Sequence, residues 1–402
     1  MKNELTDMLS WAITHVPYYI NTANIEELDP CDISSFPIVN KELYLRNPNE
    51  FLSNDIDENH LQISATSGTT GMPLKVVKTS SDYYTQLKNL WMSRSGMHGI
   101  KPLCTYINIG IFNNRPEISY FSNNGKCLNI NASMVTTEWF MKAKESIEKF
   151  QPEYVLSYTS GLLKFLSLYE ACSMKLPPTI KVIELIGEPI LEFQRKIIEG
   201  FSKALIIQNY SATELLGIAI SCQYGYMHCI YENALLEIFD GNRKCGYDEE
   251  GEIVITSLHS KAMPFIRYKI GDYGKIIKQS VCPCHNQGDI IQITKGRTVD
   301  FLELYNGKSL HSIILFSVIE DTSFLLKNCL YSFKIVQQSK RMVEINLCFK
   351  KGYEKYFKPF QTVFQKKIKA IIDDENVEWI FRTYLYLDER DEGKIKLFAR
   401  KD

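Results

Sequence analysis

From about residue 139 the apolar positions switch regularly between helical and strand spacing. Trp139 to Phe150 reads as a helix, Tyr154 to Tyr158 as a strand, Gly161 to Ser173 as a helix and Lys181 to Ile186 as a strand, followed by helix Ile190 to Ser202 and strand Ala204 to Gln208. Strands alternating with helices of this length predict a layered α/β domain with parallel strands. Upstream, Leu5, Met8, Leu9, Ala12 and Val16 fall at helical spacing, and Ser81 to Ser95 reads as an amphipathic helix. Thr105 to Phe112 alternates as a strand does. Pro30, Pro37 and Pro48 interrupt any long element between them, and the segment Pro37 to Lys41 reads as a docking strand before a short helix.

Between 215 and 300 the texture becomes strand and turn, with strands predicted at Ala234 to Phe239, Glu252 to Thr256 and Ile290 to Thr294. This suggests a β subdomain. Beyond Asp300 the order is helix His311 to Asp321, strands Tyr331 to Gln337 and Met342 to Phe349, helix Glu354 to Ile372 and strand Val377 to Tyr386. About 100 residues of this kind suffice for a separate small α+β domain. The expected division is 1–299 for a large α/β domain with its β subdomain and 300–402 for the small one.

Composition narrows the partners. The 402 residues carry 46 basic and 47 acidic side chains, a net charge of −1, so no field is present to attract nucleic acid or an anionic membrane. No run approaches the ~18 apolar residues of a membrane span, and the acids in MKNELTDMLSWAITHVPYY speak against a secretory signal. Eleven cysteines, an odd number scattered along the chain, do not suggest a disulfide framework and fit a reducing cytoplasm. A small-molecule substrate is the expectation.

One stretch, ISATSGTTGMPLKVVK from Ile63 to Lys78, carries distinctive chemistry. Thr66, Ser67, Gly68, Thr69, Thr70 and Gly71 alternate hydroxyls with glycines, a composition that brings backbone N–H and O–H donors around a phosphate. The Walker spacing GxxxxGK[ST] is absent, so this is not the usual nucleotide-hydrolase loop. Two further loops follow predicted strands, where open α/β sheets bind ligands: Gly187-Glu188-Pro189 and Tyr210-Ser211-Ala212-Thr213-Glu214.

The order of these stretches with GEIVITSLHSKAMPFIRYKIGD (251–272), KGRTVDFLEL (295–304) and DEGKIKLFARK (391–401) resembles the adenylate-forming superfamily of acyl-CoA synthetases and adenylation domains. The short branch containing phenylacetate-CoA ligase is the most similar. The resemblance implies ATP-dependent activation of a carboxylic acid to an acyl-adenylate, with Mg²⁺, followed by transfer to the thiol of coenzyme A or of the phosphopantetheine on an acyl or peptidyl carrier protein. It implies that residues 66–71 hold the β and γ phosphates, with Lys75 assisting. Tyr210 stacks on adenine beside Gly187 and Glu188. Thr213 touches the α-phosphate, Glu214 ligates Mg²⁺, Asp272 binds the ribose hydroxyls and Arg297 reaches ribose or phosphate. Lys394 is the mobile lysine of the small domain, Lys396 competes for that role, and the hinge lies near Val299. Ser211 stands where the family carries glycine.

Taken singly, these residues have plainer readings: Asp272 as a turn residue, Glu214 as the cap of a following apolar helix, Lys394 as one solvated lysine of a basic tail. An amine or hydroxyl acceptor, or a non-catalytic nucleotide-binding protein on the same fold, are the rival functions. The segments 106–112, 158–161, 186–189 and 208–211, largely apolar and aromatic, are expected to line the acid pocket and to favour an aryl or medium-sized apolar acid.

Cys282-Pro283-Cys284 presents two thiols from one tight turn, and Cys222 with His228 supplies two more ligands, which together offer a tetrahedral structural Zn²⁺ site. Cys229 and His285 are spare candidates, and thiols without metal are the plainer reading. Related short ligases carry similar sets.

Overall fold

The computed structural model describes residues 2–21, 28–56, 61–66, 73–110, 112, 117–131, 137–171, 174–286, 288–295, 301–372, 376–384 and 397–400. The chain divides into two compact units. One comprises Met1–Pro102 and Gln208–Val299, the other Leu103–Ile207 and Asp300–Asp402.

The second unit holds the predicted alternation. Strand Tyr154–Tyr158 lies between Val182–Ile186 and Tyr106–Gly110, parallel to both, and Tyr106–Gly110 pairs in parallel with Cys127–Asn131. Helices Thr137–Phe150, Thr159–Ala171 and Glu192–Phe201 fall within two residues of their predicted starts and ends. A strand that pattern reading missed, Ser119–Ser122, returns antiparallel on Cys127–Asn131 through Asn123, Asn124 and Gly125, all at positive φ. Asparagine and glycine tolerate that conformation at little steric cost.

The C-terminal part of this unit is a four-stranded sheet ordered Glu378–Thr383, Met342–Phe349, Leu330–Ser339, Phe398–Arg400, with helices Ser312–Leu325 and Phe357–Lys369. The predicted helix from Glu354 begins instead as a short 3-10 turn, Glu354–Tyr356, before Phe357. One hydrophobic cluster runs through the whole unit, from Ile107, Val155, Phe165 and Ile198 to Phe333, Ile345 and Phe364. Phe193 and Phe333 approach to 6.4 Å between ring centres, and the Phe193 N–H donates to Glu320 at 3.1 Å.

The first unit is built on antiparallel strands. Ala234–Asp240, Gly251–Ser257, Tyr268–Ile277 and Ile290–Lys295 follow one another in the sheet, with Met227–Cys229 and Ala219–Ser221 beyond. Val39–Asn40 docks in parallel on Tyr268–Lys269, as the segment after Pro37 suggested, and the helix Lys41–Arg46 follows with Asn40 as its cap. Tyr44 stacks on Phe51 at 3.8 Å and on Phe265 at 5.1 Å in the core. The strands Leu61–Ala65 and Lys75–Thr79 form an antiparallel pair flanking residues 67–72. Helix Ser80–His98 starts at a capping box between Thr79 and Asp82 and ends at Gly99 in the left-handed conformation. No described helix is long and apolar enough to cross a membrane.

Candidate active site

In the first unit the pairing of strands brings two of the motifs together. Strand Leu205–Tyr210 ends at Tyr210, whose phenol donates to Asp272 Oδ2 at 2.7 Å. Asp272 sits within Tyr268–Ile277, just after Gly271 at φ 89°. Four residues before Asp272 on that strand, the buried Tyr268 donates to Glu214 Oε1 at 3.0 Å. Glu214 is 5% exposed. A carboxylate so deep must have donors around it, because desolvation otherwise disfavours its charge.

The Tyr210–Gly217 loop is pinned from within. Ser211 Oγ donates to Asn209 Oδ1 at 2.7 Å and accepts the Gly217 N–H at 2.8 Å. The serine that departs from the family glycine therefore serves as a loop tie, and its φ is negative. Gly217 needs to be glycine: its φ is 61°, and a Cβ there would lie 3.0 Å from Asn233 Nδ2 and 3.1 Å from Leu90 Cβ. No helix follows Glu214, since the chain runs on to strand Ala219–Ser221, so Glu214 is not the cap of a following helix. Thr213 is half-buried in the same loop.

Of the phosphate-loop candidates, Thr66 is buried and closes the flanking hairpin. Its N–H donates to the Leu74 carbonyl and its Oγ1 accepts the Leu74 N–H, both at 2.9 Å. Lys75 is exposed at the start of its strand. Ser67, Gly68, Thr69, Thr70, Gly71, Arg297, Lys394 and Lys396 lie outside the described residues. Sequence reasoning passed over Lys78, which is 4% exposed and donates to Gln86 Oε1 at 3.1 Å. Burial pulls its pKa down to about 8, against the opposing pull of the Glu214 and Asp82 carboxylates. Nothing in the sequence marked it, since a lysine on a strand reads as solvated.

In the second unit Gly187 adopts φ 70°, and Glu188 accepts both the N–H and the Oγ of Ser160 at 2.7 Å. Glu188 thus occupies the N-terminal end of helix Thr159–Ala171, where a negative charge is favoured. Its carboxylate also pushes the pKa of the Tyr158 phenol up, after the larger effect of burial.

The four cysteine and histidine candidates converge. The ligand atoms of Cys222, His228, Cys282 and Cys284 all lie within 4.8 Å of one another. Cys222 Sγ is 3.6 Å from Cys282 Sγ, and Cys284 Sγ lies 3.1 Å from both Cys282 Sγ and His228 Nε2. A tetrahedral zinc–thiolate site has sulfurs about 3.8 Å apart, so the donor set fits the metal. His228 Nδ1 donates to the Gly288 carbonyl at 3.0 Å, which turns Nε2 toward the thiols. Gly288 is at φ 92°, and a Cβ on it would lie 2.4 Å from the Cys229 carbonyl oxygen. Cys229 instead packs in the apolar core, where burial pushes its pKa up to about 12, and neither it nor His285 joins the cluster.

No family model matches the chain. Over 323 residues it is 25% identical to a phenylacetate-coenzyme A ligase of Pseudomonas putida, covering 75% of this chain and 72% of that protein. The fold matches a 2-hydroxyisobutyryl-CoA ligase in the postadenylation state in complex with R3-HIB-AMP, with a TM-score of 0.75, 15% identity and coverage of 99% of this chain and 88% of the other. In sequence and in fold the chain is similar to adenylate-forming ligases. As an adenylate-forming ligase it is an AMP-forming acid–thiol ligase, with mixed α/β architecture. A further solved relative by fold is the o-succinylbenzoate coenzyme A synthetase of Bacillus subtilis, in complex with ATP and magnesium ion (TM-score 0.50, 16% identity, 82% of this chain and 67% of that chain). Within this ligase, Tyr210, Glu214 and Asp272 are motif residues from distant parts of the sequence that meet in one unit.

Proposed function

We propose that the ligase activates an apolar carboxylic acid, aryl or of medium size, with ATP and Mg²⁺, and passes the acyl group to the thiol of coenzyme A. The phosphopantetheine of a carrier protein is the alternative acceptor within the same chemistry. In the first step a carboxylate oxygen forms a bond to the α-phosphorus, the bond from that phosphorus to the bridging oxygen breaks, and pyrophosphate leaves with the electron pair. Such a step needs positioning and charge stabilisation more than covalent help from the protein.

The supporting observation is the convergence of Tyr210 with Asp272 and of Glu214 with Tyr268 in one unit. In this reading Tyr210 offers its ring to adenine and Asp272 accepts from the ribose hydroxyls. Thr213 donates to the α-phosphate, while residues 66–71, Lys75 and Arg297 contact phosphate or ribose. Glu214 is the oxygen ligand for Mg²⁺, a hard cation that when bound neutralises phosphate charge. Gly187 and Glu188 belong to the adenine-side loop. Residues 300–402 act as the small domain that brings Lys394 to the reacting carboxylate and turns about a hinge near Val299. The Cys222, His228, Cys282 and Cys284 set holds structural Zn²⁺, since four protein ligands leave no open position for chemistry.

The acid class follows from charge. Segments 106–112 and 158–161 contain no charged residue, and the carboxylate of Glu188 is already engaged by Ser160. Phe112 and Tyr120 meet edge to face at 5.6 Å, which gives the second unit an aromatic pair beside the end of strand Tyr106–Gly110. The test is exchange of labelled pyrophosphate into ATP across aryl, fatty and amino acids, with Lys394→Ala alongside. Exchange with aryl or medium apolar acids, abolished in the variant, is expected; exchange confined to charged acids would refute the acid class, and none with any acid would refute adenylation.

A further inference from the structure

The inward stripe of helix Ser80–His98 reads Asp82, Gln86, Leu90, Arg94, one residue per turn, and three of the four are polar. Burying such side chains is unfavourable unless their hydrogen-bonding capacity is filled. Gln86 is fully buried and fills it completely. Its Oε1 accepts from Lys78 Nζ at 3.1 Å and from the Leu216 N–H at 3.3 Å, while Nε2 donates to the His259 carbonyl and to Ser260 Oγ, both at 3.0 Å. Four bonds exhaust a carboxamide.

The neighbours extend the same pattern. Asn233 Nδ2 donates to the carbonyls of Gln86 (3.0 Å), Leu216 (2.9 Å) and Gly217 (3.3 Å). Asp82 accepts the N–H groups of Thr79, Lys261 and Ala262 between 3.0 and 3.2 Å. Three backbone segments are joined in this way: the strand carrying Lys78, the loop carrying Thr213 and Glu214, and the turn that leads into Tyr268 and Asp272. Apart from the Thr79–Asp82 bond, which belongs to the capping box, none of these bonds is required to form the helix. Lys78 Nζ and the Leu216 N–H, two residues after Glu214, thus share one acceptor, Gln86 Oε1.

We propose that Gln86 and Lys78 are positioning residues of the adenylation site: Gln86 fixes the Lys78 ammonium and the backbone just after Glu214 in one arrangement, so that the Glu214 carboxylate is presented in a set direction beside a built-in positive charge. This deepens the adenylation reading and rests on it. The part of the hub that matters is the oxygen side of the carboxamide, which meets Lys78 and Leu216. The nitrogen side, toward His259 and Ser260, only anchors it.

Four variants separate these halves: Gln86→Leu, Gln86→Glu, Lys78→Met and Ser260→Ala. Each is measured by pyrophosphate–ATP exchange and by hydrogen exchange of the peptide spanning 210–217. Gln86→Leu and Lys78→Met are expected to lower kcat for exchange about 30- to 100-fold with KM for ATP changed less than about threefold, the signature of misplaced rather than missing groups. Gln86→Leu should also lose amide protection in 210–217. Gln86→Glu keeps an acceptor oxygen for Lys78 and Leu216 and should retain about a third of the rate, and Ser260→Ala should be close to wild type. If Lys78→Met and Gln86→Leu stay within about threefold of wild type in kcat, or if all four variants lose rate in step with thermal stability, the proposal is overturned. Should Gln86→Leu fail to fold, Lys78→Met against Gln86→Glu decides it. A wild type with no acid-dependent exchange would refute the functional reading instead, and the protection of 210–217 in Gln86→Leu would then decide the positioning claim by itself.

Discussion

Helices Ser80–His98 and Glu192–Phe201 bury opposite chemistries. The second turns Phe193, Ile197, Ile198 and Phe201 inward, with Gln194 as its one buried polar residue, bonded back to the Leu191 N–H at its own start, and joins the large apolar cluster of its unit. The first turns Asp82, Gln86 and Arg94 inward, with Leu90 alone as an aliphatic contact among its buried residues. Apolar burial is strong and non-directional, so it holds a helix against a sheet without fixing any one atom closely. Hydrogen bonds to buried backbone are directional, and their partners stand at set distances and angles. In this ligase the directional kind surrounds the loop that carries Thr213 and Glu214, while the apolar kind carries the bulk of the scaffold.

The Cys222, His228, Cys282 and Cys284 cluster takes the directional side of this contrast furthest, because a single ion would organise the turns that carry the four ligands. Cys284→Ser is expected to reduce zinc from one per chain to none and to cost about 4–5 kcal/mol of stability. Metal analysis with urea unfolding checks this. Full stability in metal-free protein would place the cluster among ordinary buried thiols. On the apolar side, Ile198→Ala should cost about 2–4 kcal/mol while exchange per folded molecule stays at wild-type level. A loss of rate without a loss of stability would break the division of labour between the two helices.

The smallest effect is in pH dependence. Burial pushes the Cys348 thiol up to about 12 from an ordinary value of 9.0. A pKa raised on folding means that the folded chain holds its proton where the unfolded chain has lost it, so the contribution is intact below pH 9 and is lost as pH rises toward 12. Wild type should therefore lose about 1–2 kcal/mol relative to Cys348→Val between pH 8.5 and 10.5, read from paired urea midpoints. An unchanged difference would mean that the thiol is not held in an apolar environment.

Much of the second unit was legible from apolar spacing, because its helices and strands are long enough to show their period and are bounded by turns. Tyr154–Tyr158 and Met342–Phe349 fall where the spacing placed them. Strand Ser119–Ser122 was missed although Asn123-Asn124-Gly125 is a turn signal, since its four residues alternate too weakly to be read. In the first unit the motifs named Tyr210, Glu214 and Asp272, which the fold brings into one unit, and the tight Cys-Pro-Cys turn pointed to four side chains that converge. Lys78 and Gln86 were not legible. A lysine on a strand and a glutamine on a helix read as solvated positions, and only the fold shows that both face inward. Ser211 looked like a departure and proved to be a tie within the loop.

The most direct measurement of acyl-adenylate formation follows an oxygen atom. The acid that supports exchange is prepared with both carboxyl oxygens replaced by a heavy isotope and is turned over with ATP, Mg²⁺ and coenzyme A. If the carboxylate attacks the α-phosphorus, one heavy oxygen must leave with AMP at each turnover, and mass spectrometry of the AMP will show it. AMP free of the label, with thioester still formed, would contradict the acyl-adenylate route.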